Sequence, residues 1–527
     1  MSKPVNDNLT QEVQKRRTFA IISHPDAGKT TLTEKLLLFG GAIRLAGTVK
    51  GRKAAKFATS DWMEIEKQRG ISVTSSVMQF DYNGHKINIL DTPGHQDFSE
   101  DTYRTLTAAD SAVMLIDSAK GVEAQTKKLF QVCRLRGIPI FTFINKMDRE
   151  GRDPFDLLEE LEQVLGIRSY PMNWPIGSGK QLSGVYDRMK TRVELFNGDD
   201  HKEITVRPVS GYEDPVIREI AGEFLADQLK QEMELVDVAG DPYDYEKIRT
   251  GELTPVFFGS AINNFGVQTF LDNFLQLAPA PTPRNSSEGP IEPTKETFTG
   301  YVFKIQANMN PAHRDRLAFL RIVSGKFERG MSVRHVRAGK DIKLAQPQQF
   351  LAQDRDIVDE AYPGDIIGLF DPGIFRIGDS LSAKGSVEFD ELPTFSPELF
   401  SKVTIKNALK QKQFLKGIDQ LTEEGTIQVF KTISFEDMIL GVVGQLQFEV
   451  MEYRMKNEYG VDIQLQRMPY QFARWVVDEN LDPSKYRVNS TLVKDKKDNY
   501  VALFESEYAM RSAMDKNPTA KFLENAP

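Results

Sequence analysis

A short polar loop near the N-terminus has the residue types that hold a chain of phosphates. Its members are Ser23, His24, Pro25, Asp26, Ala27, Gly28, Lys29 and Thr30. In such a loop, successive backbone N–H groups and a helix N-terminus point at the phosphates. The Lys29 ammonium group would reach the β- and γ-phosphates of a nucleoside triphosphate, and the Thr30 hydroxyl would hold Mg²⁺. The loop therefore predicts a nucleotide-binding site.

A second polar segment could complete the phosphate and metal end of that site. Its members are Asp91, Thr92, Pro93, Gly94 and His95. A carboxylate at a strand end, here Asp91, can hold Mg²⁺ through a water ligand. The backbone N–H of Gly94 can approach a γ-phosphate closely because glycine has no side chain. Alone, such a segment predicts only a turn.

A third segment has the chemistry that recognises guanine. Its members are Asn145, Lys146, Met147 and Asp148. The Asp148 carboxylate can accept hydrogen bonds from guanine N1–H and from the 2-amino group, a pair of donors that adenine lacks. Left unpaired, the same carboxylate would penalise the wrong base. The Lys146 stem can cover the face of the base, and together these features disfavour an ATP-using enzyme.

A fourth segment, Ser260 and Ala261, could contact the edge of the base. The Ala261 N–H would bond guanine O6. All four segments follow predicted strands, and in open α/β sheets ligands bind at the carboxyl ends of strands. Their combination, in this order, predicts binding of GTP and GDP with Mg²⁺.

The elements that position these segments alternate along the chain. Strands are predicted at 19–22, 86–90, 112–116, 138–144 and 255–258, and helices at 31–39, 99–109, 122–136 and 154–165. Alternation of this kind predicts a mostly parallel sheet with helices on both faces.

Proline-rich segments and the pattern of strands predict a multidomain chain. We expect a P-loop α/β domain over 14–283 with an inserted subdomain at about 168–250, a linker at 284–296, a small β-barrel over 297–390, and an α+β domain over 395–527. Prolines at this density extend the chain and stop helices. In the last domain, apolar spacing predicts an amphipathic helix over 441–459 that ends at Gly460.

Composition narrows the class of protein. The net charge of −8 argues against a protein that coats nucleic acid in general, and no apolar run reaches the length of a membrane span. The chain has one cysteine, Cys133, which we expect to be buried as a small apolar residue. A single cysteine cannot form a disulfide framework, which favours a reducing cytoplasm. Between 301 and 343, ten Lys and Arg stand against three acidic residues. This segment predicts either a basic surface for an RNA backbone or a solvated barrel face.

These motifs resemble the translational GTPase family, and residues 68–72 resemble the end of its switch I. The resemblance implies a GTPase in which Ser72 is the second hydroxyl ligand of Mg²⁺. It also implies that His95 is catalytic and positions the attacking water. Pro25 and Ile71 would flank that histidine as an apolar gate.

Other stretches resemble the release factor 3 branch of that family. They lie at 60–64, 103–106, 300–309, 313–316 and 408–412. Residues 170–177 resemble an extra subdomain that this branch shares with elongation factor G. The resemblance implies a ribosome-dependent GTPase that promotes dissociation of class-1 release factors in translation termination, with the ribosome and those factors as partners. Two alternatives stay open at this point. One is a GTPase like elongation factor G, acting in translocation or ribosome protection, and the other is a regulatory GTP switch that never meets ribosomes.

Overall fold

The computed structural model describes most of the 527-residue chain. The described residues are 7–42, 66, 72–197, 203–307, 316–345, 347–351, 354–392, 394–433, 437–478, 481–486 and 489–525. The predictions for residues 60–64, 68–71, 308–309 and 313–315 lie outside this part. None of the helices in the described part is both long enough and apolar enough to cross a bilayer.

A seven-stranded sheet forms the first part of the chain. Its strands, numbered in chain order, are β1 (Arg16–Ser23), β2 (Ser76–Tyr82), β3 (His85–Asp91), β4 (Ser111–Asp117), β5 (Ile140–Asn145), β6 (Arg168–Pro171) and β11 (Leu253–Phe258). Their spatial order is β2-β3-β1-β4-β5-β11-β6. Every neighbouring pair is parallel except β2 and β3. This is the mostly parallel sheet that the alternating pattern predicts.

Helices cover both faces of this sheet. The helices of this part are α1 (Asp7–Lys15), α2 (Lys29–Phe39), α3 (Ser99–Thr107), α4 (Ala124–Leu135), α5 (Pro154–Glu160), α6 (Pro215–Ala221), α7 (Glu223–Ala239), α8 (Tyr245–Thr250) and α9 (Val267–Leu277). Side chains alternate between the faces of a strand. Along β1, Phe19 and Ile21 therefore join one core cluster, and Ala20 and Ile22 join the other. Cys133 is fully buried, and burial raises the pKa of its thiol to about 12.

The segment predicted as an inserted subdomain contains an antiparallel sheet of its own. Its strands are β7 (Asn173–Ile176), β8 (Gly184–Asp187), β9 (Arg192–Asn197) and β10 (Glu203–Pro208), in the order β10-β9-β8-β7. Helix α7 packs beside it, and the Trp174 indole N–H donates to Glu232 at 2.7 Å. The first strand of the segment, β6, pairs instead with β11 of the main sheet.

An antiparallel β structure follows the proline-rich segment. Its strands are β12 (Thr299–Ala307), β13 (Arg316–Ser324), β14 (Phe327–Glu328), β15 (Ser332–His335), β16 (Lys340–Lys343), β17 (Pro347–Leu351), β18 (Asp354–Ile357), β19 (Glu360–Ala361), β20 (Ile366–Phe370) and β21 (Ser380–Ser382). Eight of them run β16-β15-β21-β12-β13-β20-β17-β18, and β14 pairs with β19. One apolar cluster that includes Val302, Leu320 and Ile367 fills this barrel-like unit.

Among its described residues, the last part combines an eight-stranded sheet with three helices. The strands are β22 (Leu399–Ile405), β23 (Gln428–Thr432), β24 (Met438–Val442), β25 (Ile463–Arg467), β26 (Phe472–Val477), β27 (Ser490–Lys494), β28 (Tyr500–Phe504) and β29 (Lys521–Leu523), and the helices are α10 (Gln411–Glu423), α11 (Gln445–Asn457) and α12 (Glu507–Lys516). The sheet order is β25-β22-β24-β23-β27-β28-β26-β29. The predicted fold class, an α/β unit followed by a β-barrel and an α+β part, is confirmed.

The helix predicted over 441–459 begins later than expected. Gly441 and Val442 belong to β24 and pair with β22. The helix starts only at Gln445, because the Gln447 side chain accepts the backbone N–H groups of residues 443 and 444 and caps the turn. Gly460 takes a left-handed φ of 67° just beyond the helix, as the sequence predicts for a helix stop.

Ion pairs neutralise most of the basic segment 301–343. Seven of the nine Lys and Arg that lie in the described part of this segment have carboxylate partners. Three are buried, and they pair as Lys304 with Asp101, Arg316 with Asp371, and Arg321 with Asp110. The excess of basic charge in the sequence is therefore smaller in the fold, because the neutralising acids lie outside the segment or in a facing strand.

Asp110 anchors the barrel-like unit to the α/β unit, and its loss should destabilise the protein. Its fully buried carboxylate pairs with Arg321 at 2.5 Å and with Arg284 at 2.9 Å. Asp110→Ala would leave Arg321 charged and unpaired in the interior, which costs about 3–5 kcal/mol. We expect a clear fall in the urea midpoint of unfolding.

Asp359→Ala is the control, because Asp359 is 80% exposed and its pair with Arg329 is solvated. Equal midpoints for the two variants would contradict this role.

Candidate nucleotide-binding site

The predicted phosphate loop joins β1 to α2. The strand ends at Ser23 and the helix begins at Lys29, so the loop lies at the carboxyl edge of the sheet. Gly28 has a φ of 102°, and a Cβ there would collide with the Asn145 amide nitrogen. Both the backbone conformation and the close approach require glycine at this position.

The predicted phosphate-binding and metal-binding groups lie side by side. Lys29 Nζ donates to Asp91 Oδ1 at 2.6 Å, and both side chains are buried. Thr30 follows on the first turn of α2 and is half-buried. The Thr92 hydroxyl donates to Ile21 O at 2.7 Å, so a hydrogen bond ties the loop after β3 to β1. The first two predicted segments therefore lie together at one edge of the sheet.

One carboxamide ties the other two segments to the phosphate loop. Asn145 Nδ2 donates to Ala27 O at 2.9 Å, and Asn145 Oδ1 accepts from the Ala261 N–H at 2.8 Å. Met147 N–H donates to Gly259 O at 3.1 Å, which joins the third and fourth segments again. The Ala261 N–H, predicted to bond guanine O6, donates to the Asn145 side chain in this structure.

Lys146 reaches back over the phosphate loop and meets an acid that sequence reasoning missed. Its ammonium group donates to Asp26 O at 2.5 Å and to Asp117 Oδ2 at 2.7 Å. Burial opposes ionisation of Asp117, but hydrogen bonds from Lys146 and from the Ala119 N–H outweigh it and lower the pKa of this carboxyl. Asp117 ends β4, so the strand-end signal that found the other segments could have found it.

Several buried polar atoms at this edge have no hydrogen-bond partner among the described residues. They are Ser23 Oγ, His24 Nδ1, Asp148 Oδ1 and Ser260 Oγ. Buried polar atoms are rarely unpaired in folded proteins. Their concentration in the predicted segments fits a site that is built for a polar ligand. His24, for which the sequence suggests no partner, has Nε2 3.4 Å from Glu123 Oε1.

The predicted catalytic histidine lies on the segment after β3. Its side chain is 37% exposed, and its Nδ1 lies 3.3 Å from the backbone nitrogen of Asp97. Pro25 lies against this segment, since a Cβ on Gly94 would be 3.5 Å from Pro25 Cα. The Pro93 carbonyl accepts from the hydroxyl of Thr102 at 3.3 Å. The apolar gate that includes Ile71 lies outside the described residues.

The structure also places Ser72, the proposed second hydroxyl ligand of Mg²⁺. Ser72 is 9% exposed and leads into Val73 and Thr74. The backbone N–H groups of these two residues donate to Glu66 Oε1 at 3.0 and 3.2 Å. An acid upstream therefore fixes the backbone directly after Ser72, another partner that sequence reasoning did not identify.

Family models match three consecutive parts of the chain. Elongation factor Tu GTP binding domain matches residues 14–280, Elongation factor G domain 2 matches 297–384, and Class II release factor RF3, C-terminal domain, matches 389–514. Peptide chain release factor 3 of Symbiobacterium thermophilum is 62% identical over 99% of both chains, and that of Listeria monocytogenes is 59% identical over 98% of both. The chain belongs to the peptide chain release factor 3 family.

Membership of this family decides between the interpretations that the sequence left open. The protein is a GTPase that acts in translation termination, as the resemblance implied. A crystal structure of a protein from Thermus thermophilus has a TM-score of 0.70 at 23% identity and covers 89% of this chain and 71% of its own. That likeness confirms the fold alone.

Proposed function

We propose that the four strand-end segments bind GTP and GDP with Mg²⁺. Lys29 and the amides of the phosphate loop would neutralise the β- and γ-phosphates. Asp148 would accept the guanine donors, and its partnerless Oδ1 is available for them. The observation that carries the proposal is the double bridge of Asn145, which holds the phosphate loop and the base segments in one cluster.

The donor set at the phosphate end fits a magnesium ion. Thr30 and Ser72 would supply hydroxyl oxygens, and Asp91 would hold the ion through water. Oxygen donors of this kind are those that Mg²⁺ prefers beside phosphates. Bound there, the ion would supply charge neutralisation at the β- and γ-phosphate oxygens. Lys29 has three N–H donors and Asp91 takes one, so the same lysine can bond phosphate oxygens as well.

We assign His95 the role of orienting the attacking water. Phosphoryl transfer depends on positioning and on charge stabilisation more than on covalent help from the protein. A partly exposed imidazole beside the Gly94 amide can hold a water in line with a γ-phosphate. The four segments contain no arginine that could stabilise the transition-state charge. We infer that a partner supplies the missing part of this site.

That partner, in this proposal, is the ribosome, and the consequence of turnover is dissociation of a class-1 release factor. The family supports this because its relatives are named as release factors and match the chain end to end. The proposed partners place the protein in the cytoplasm, and they include neither membranes nor DNA.

GTP turnover with and without ribosomes tests the proposal. We expect slow hydrolysis by the isolated protein and an acceleration of about 10³-fold or more by ribosomes that carry a class-1 release factor, the size of effect that a completed GTPase site provides. The release factor, fluorescently labelled, should leave the ribosome faster in the same samples. Mixtures of ribosomes and release factor without the protein are the control. Equal GTP turnover with and without ribosomes would contradict ribosome dependence.

A further inference from the structure

Asp97 connects the predicted catalytic histidine to the C-terminal α+β part. Its Oδ1 lies 3.3 Å from His95 Nδ1, and its Oδ2 accepts the backbone N–H of Leu446 at 2.7 Å. Leu446 is the second residue of α11, and it is 349 positions from Asp97 in the sequence. One carboxylate therefore contacts both the imidazole and a helix of a different part of the fold.

The start of α11 is shaped to receive this carboxylate. Its N-cap residue is Gly444, which has no side chain to satisfy the free N–H groups of the first turn. Asp97 performs that task from the α/β unit, where a carboxylate also meets the positive end of the helix dipole. A Cβ on Gly444 would collide with the Asp97 carboxylate. Because the φ of Gly444 is −143°, any residue could adopt this backbone, and only the close approach requires glycine.

An apolar cluster surrounds the contact and joins the same two parts. Val73 and Phe98 come from the α/β unit, and Leu446 and Val450 come from α11. All four are buried. Val73 follows Ser72, and the Phe98 ring stands edge-on to the His95 ring at 6.4 Å. Helix α11 thus packs on both segments that hold proposed catalytic groups.

The position of the Asp97 carboxylate decides which nitrogen of a neutral His95 carries the proton. His95 Nδ1 lies 3.3 Å from the Asp97 backbone nitrogen and 3.3 Å from the Asp97 carboxylate. It can accept from the first or donate to the second, but one neutral tautomer cannot do both. With the carboxylate held by the Leu446 N–H, Nδ1 accepts the Asp97 backbone N–H, so a neutral His95 carries its proton on Nε2 and can donate a hydrogen bond to water. With the carboxylate released from Leu446, it can turn to accept a hydrogen bond from Nδ1–H, which favours the other tautomer.

We propose that Asp97 is a positioning residue through which α11 sets the tautomer and orientation of His95. GTP hydrolysis then requires the C-terminal part to be docked on the α/β unit. This inference rests on the proposed role of His95 as the group that orients water. The partner that completes the site would then act on a histidine whose tautomer and orientation α11 has already set.

A double-mutant cycle tests the contact through catalysis. We expect Asp97→Ala and Gly444→Ala each to lower the ribosome-stimulated kcat by about 10- to 100-fold, the size of a misplaced catalytic group, with KM for GTP changed less than about twofold. The double variant should be no worse than Asp97→Ala, because both changes remove one contact. Gln445→Ala is the matched control, since Gln445 is exposed at the same turn and bonds Arg467. Additive losses, or full kcat in a folded Gly444→Ala protein, would overturn the proposal.

The ¹⁵N resonances of the imidazole test it without catalysis. The chain has six histidines, so the His95 signals can be assigned with His95→Ala. In the parent protein the shifts should report a proton on Nε2, and in Gly444→Ala they should move toward the Nδ1–H tautomer. Asp97→Ala keeps the backbone N–H and lacks the carboxylate, so it should keep the Nε2–H tautomer. Unchanged shifts in Gly444→Ala would overturn the positioning role. If the shifts move but His95→Ala keeps full ribosome-stimulated turnover, the positioning survives and the proposed catalytic role of His95 fails.

Discussion

His95→Ala is expected to abolish the stimulation of GTP hydrolysis by ribosomes and to leave GTP affinity nearly unchanged. Loss of a group that positions a reacting water and assists its proton typically costs 10²- to 10⁴-fold, so we expect a loss of about 10³-fold in kcat. Affinity should persist because the contacts assigned to the nucleotide come from Lys29, Asp148 and the loop amides. Single-turnover hydrolysis on ribosomes measures the first quantity, and calorimetry with a GTP analogue measures the second.

His85→Ala provides the matched control for this prediction. His85 is the first residue of β3, the strand that leads to the His95 segment, and its ring contacts Asn83 O. It lies outside the four segments. Its variant should hydrolyse GTP like the parent. A large fall in GTP affinity for His95→Ala would mean that the histidine binds the nucleotide directly. Retained stimulation would mean that another group orients the water.

The location of the site follows from the sequence because parallel strands place their carboxyl ends at one edge. Each of the four segments follows a short apolar run, so the segments must meet wherever those runs pair side by side. The structure confirms the meeting for the Lys29–Asp91 pair and for the Asn145 bridges. The roles assigned to these residues stay predictions until nucleotide binding is measured.

Local sequence patterns do not predict contacts between distant parts of the chain. Neither hydrophobic periodicity nor turn signals say which acid will face a buried cation, so the pairing of Lys304 with Asp101 and of Arg321 with Asp110 could not be expected. The basic excess of one segment was therefore interpreted as surface. The bond from Leu446 to Asp97 depends in the same way on how separate units dock.

The sequence also could not predict where α11 begins. The apolar spacing of α11 continues into the end of β24, and periodicity alone cannot separate a short buried strand from a helix turn. The side chain of Gln447, which caps the first turn, decides the boundary at Gln445. This boundary matters for function, because it places Gly444 and Leu446 against Asp97.

Asp148→Asn is expected to exchange the base specificity of the protein from guanine to xanthine. The wild-type carboxylate would accept two charge-assisted hydrogen bonds, each worth about 1.5–3 kcal/mol. Their loss should weaken GTP binding by about 10²- to 10⁴-fold, the equivalent of 3–6 kcal/mol. An asparagine amide can instead donate to the 2-oxo group of xanthine, so xanthosine triphosphate should bind more tightly to the variant than GTP does. Competition between the two nucleotides measures both changes.

The same variant separates base recognition from chemistry. Because His95, Lys29 and Asp91 are unchanged, Asp148→Asn should recover ribosome-stimulated turnover when xanthosine triphosphate replaces GTP. Asp153→Asn is the control, since Asp153 caps α5 by accepting the Phe155 N–H and asparagine caps a helix equally well. If Asp148→Asn kept the parent preference for GTP, the guanine pocket would have to lie elsewhere. If it bound xanthosine triphosphate but ribosomes failed to stimulate its hydrolysis, Asp148 would contribute to positioning the phosphates as well as to recognising the base.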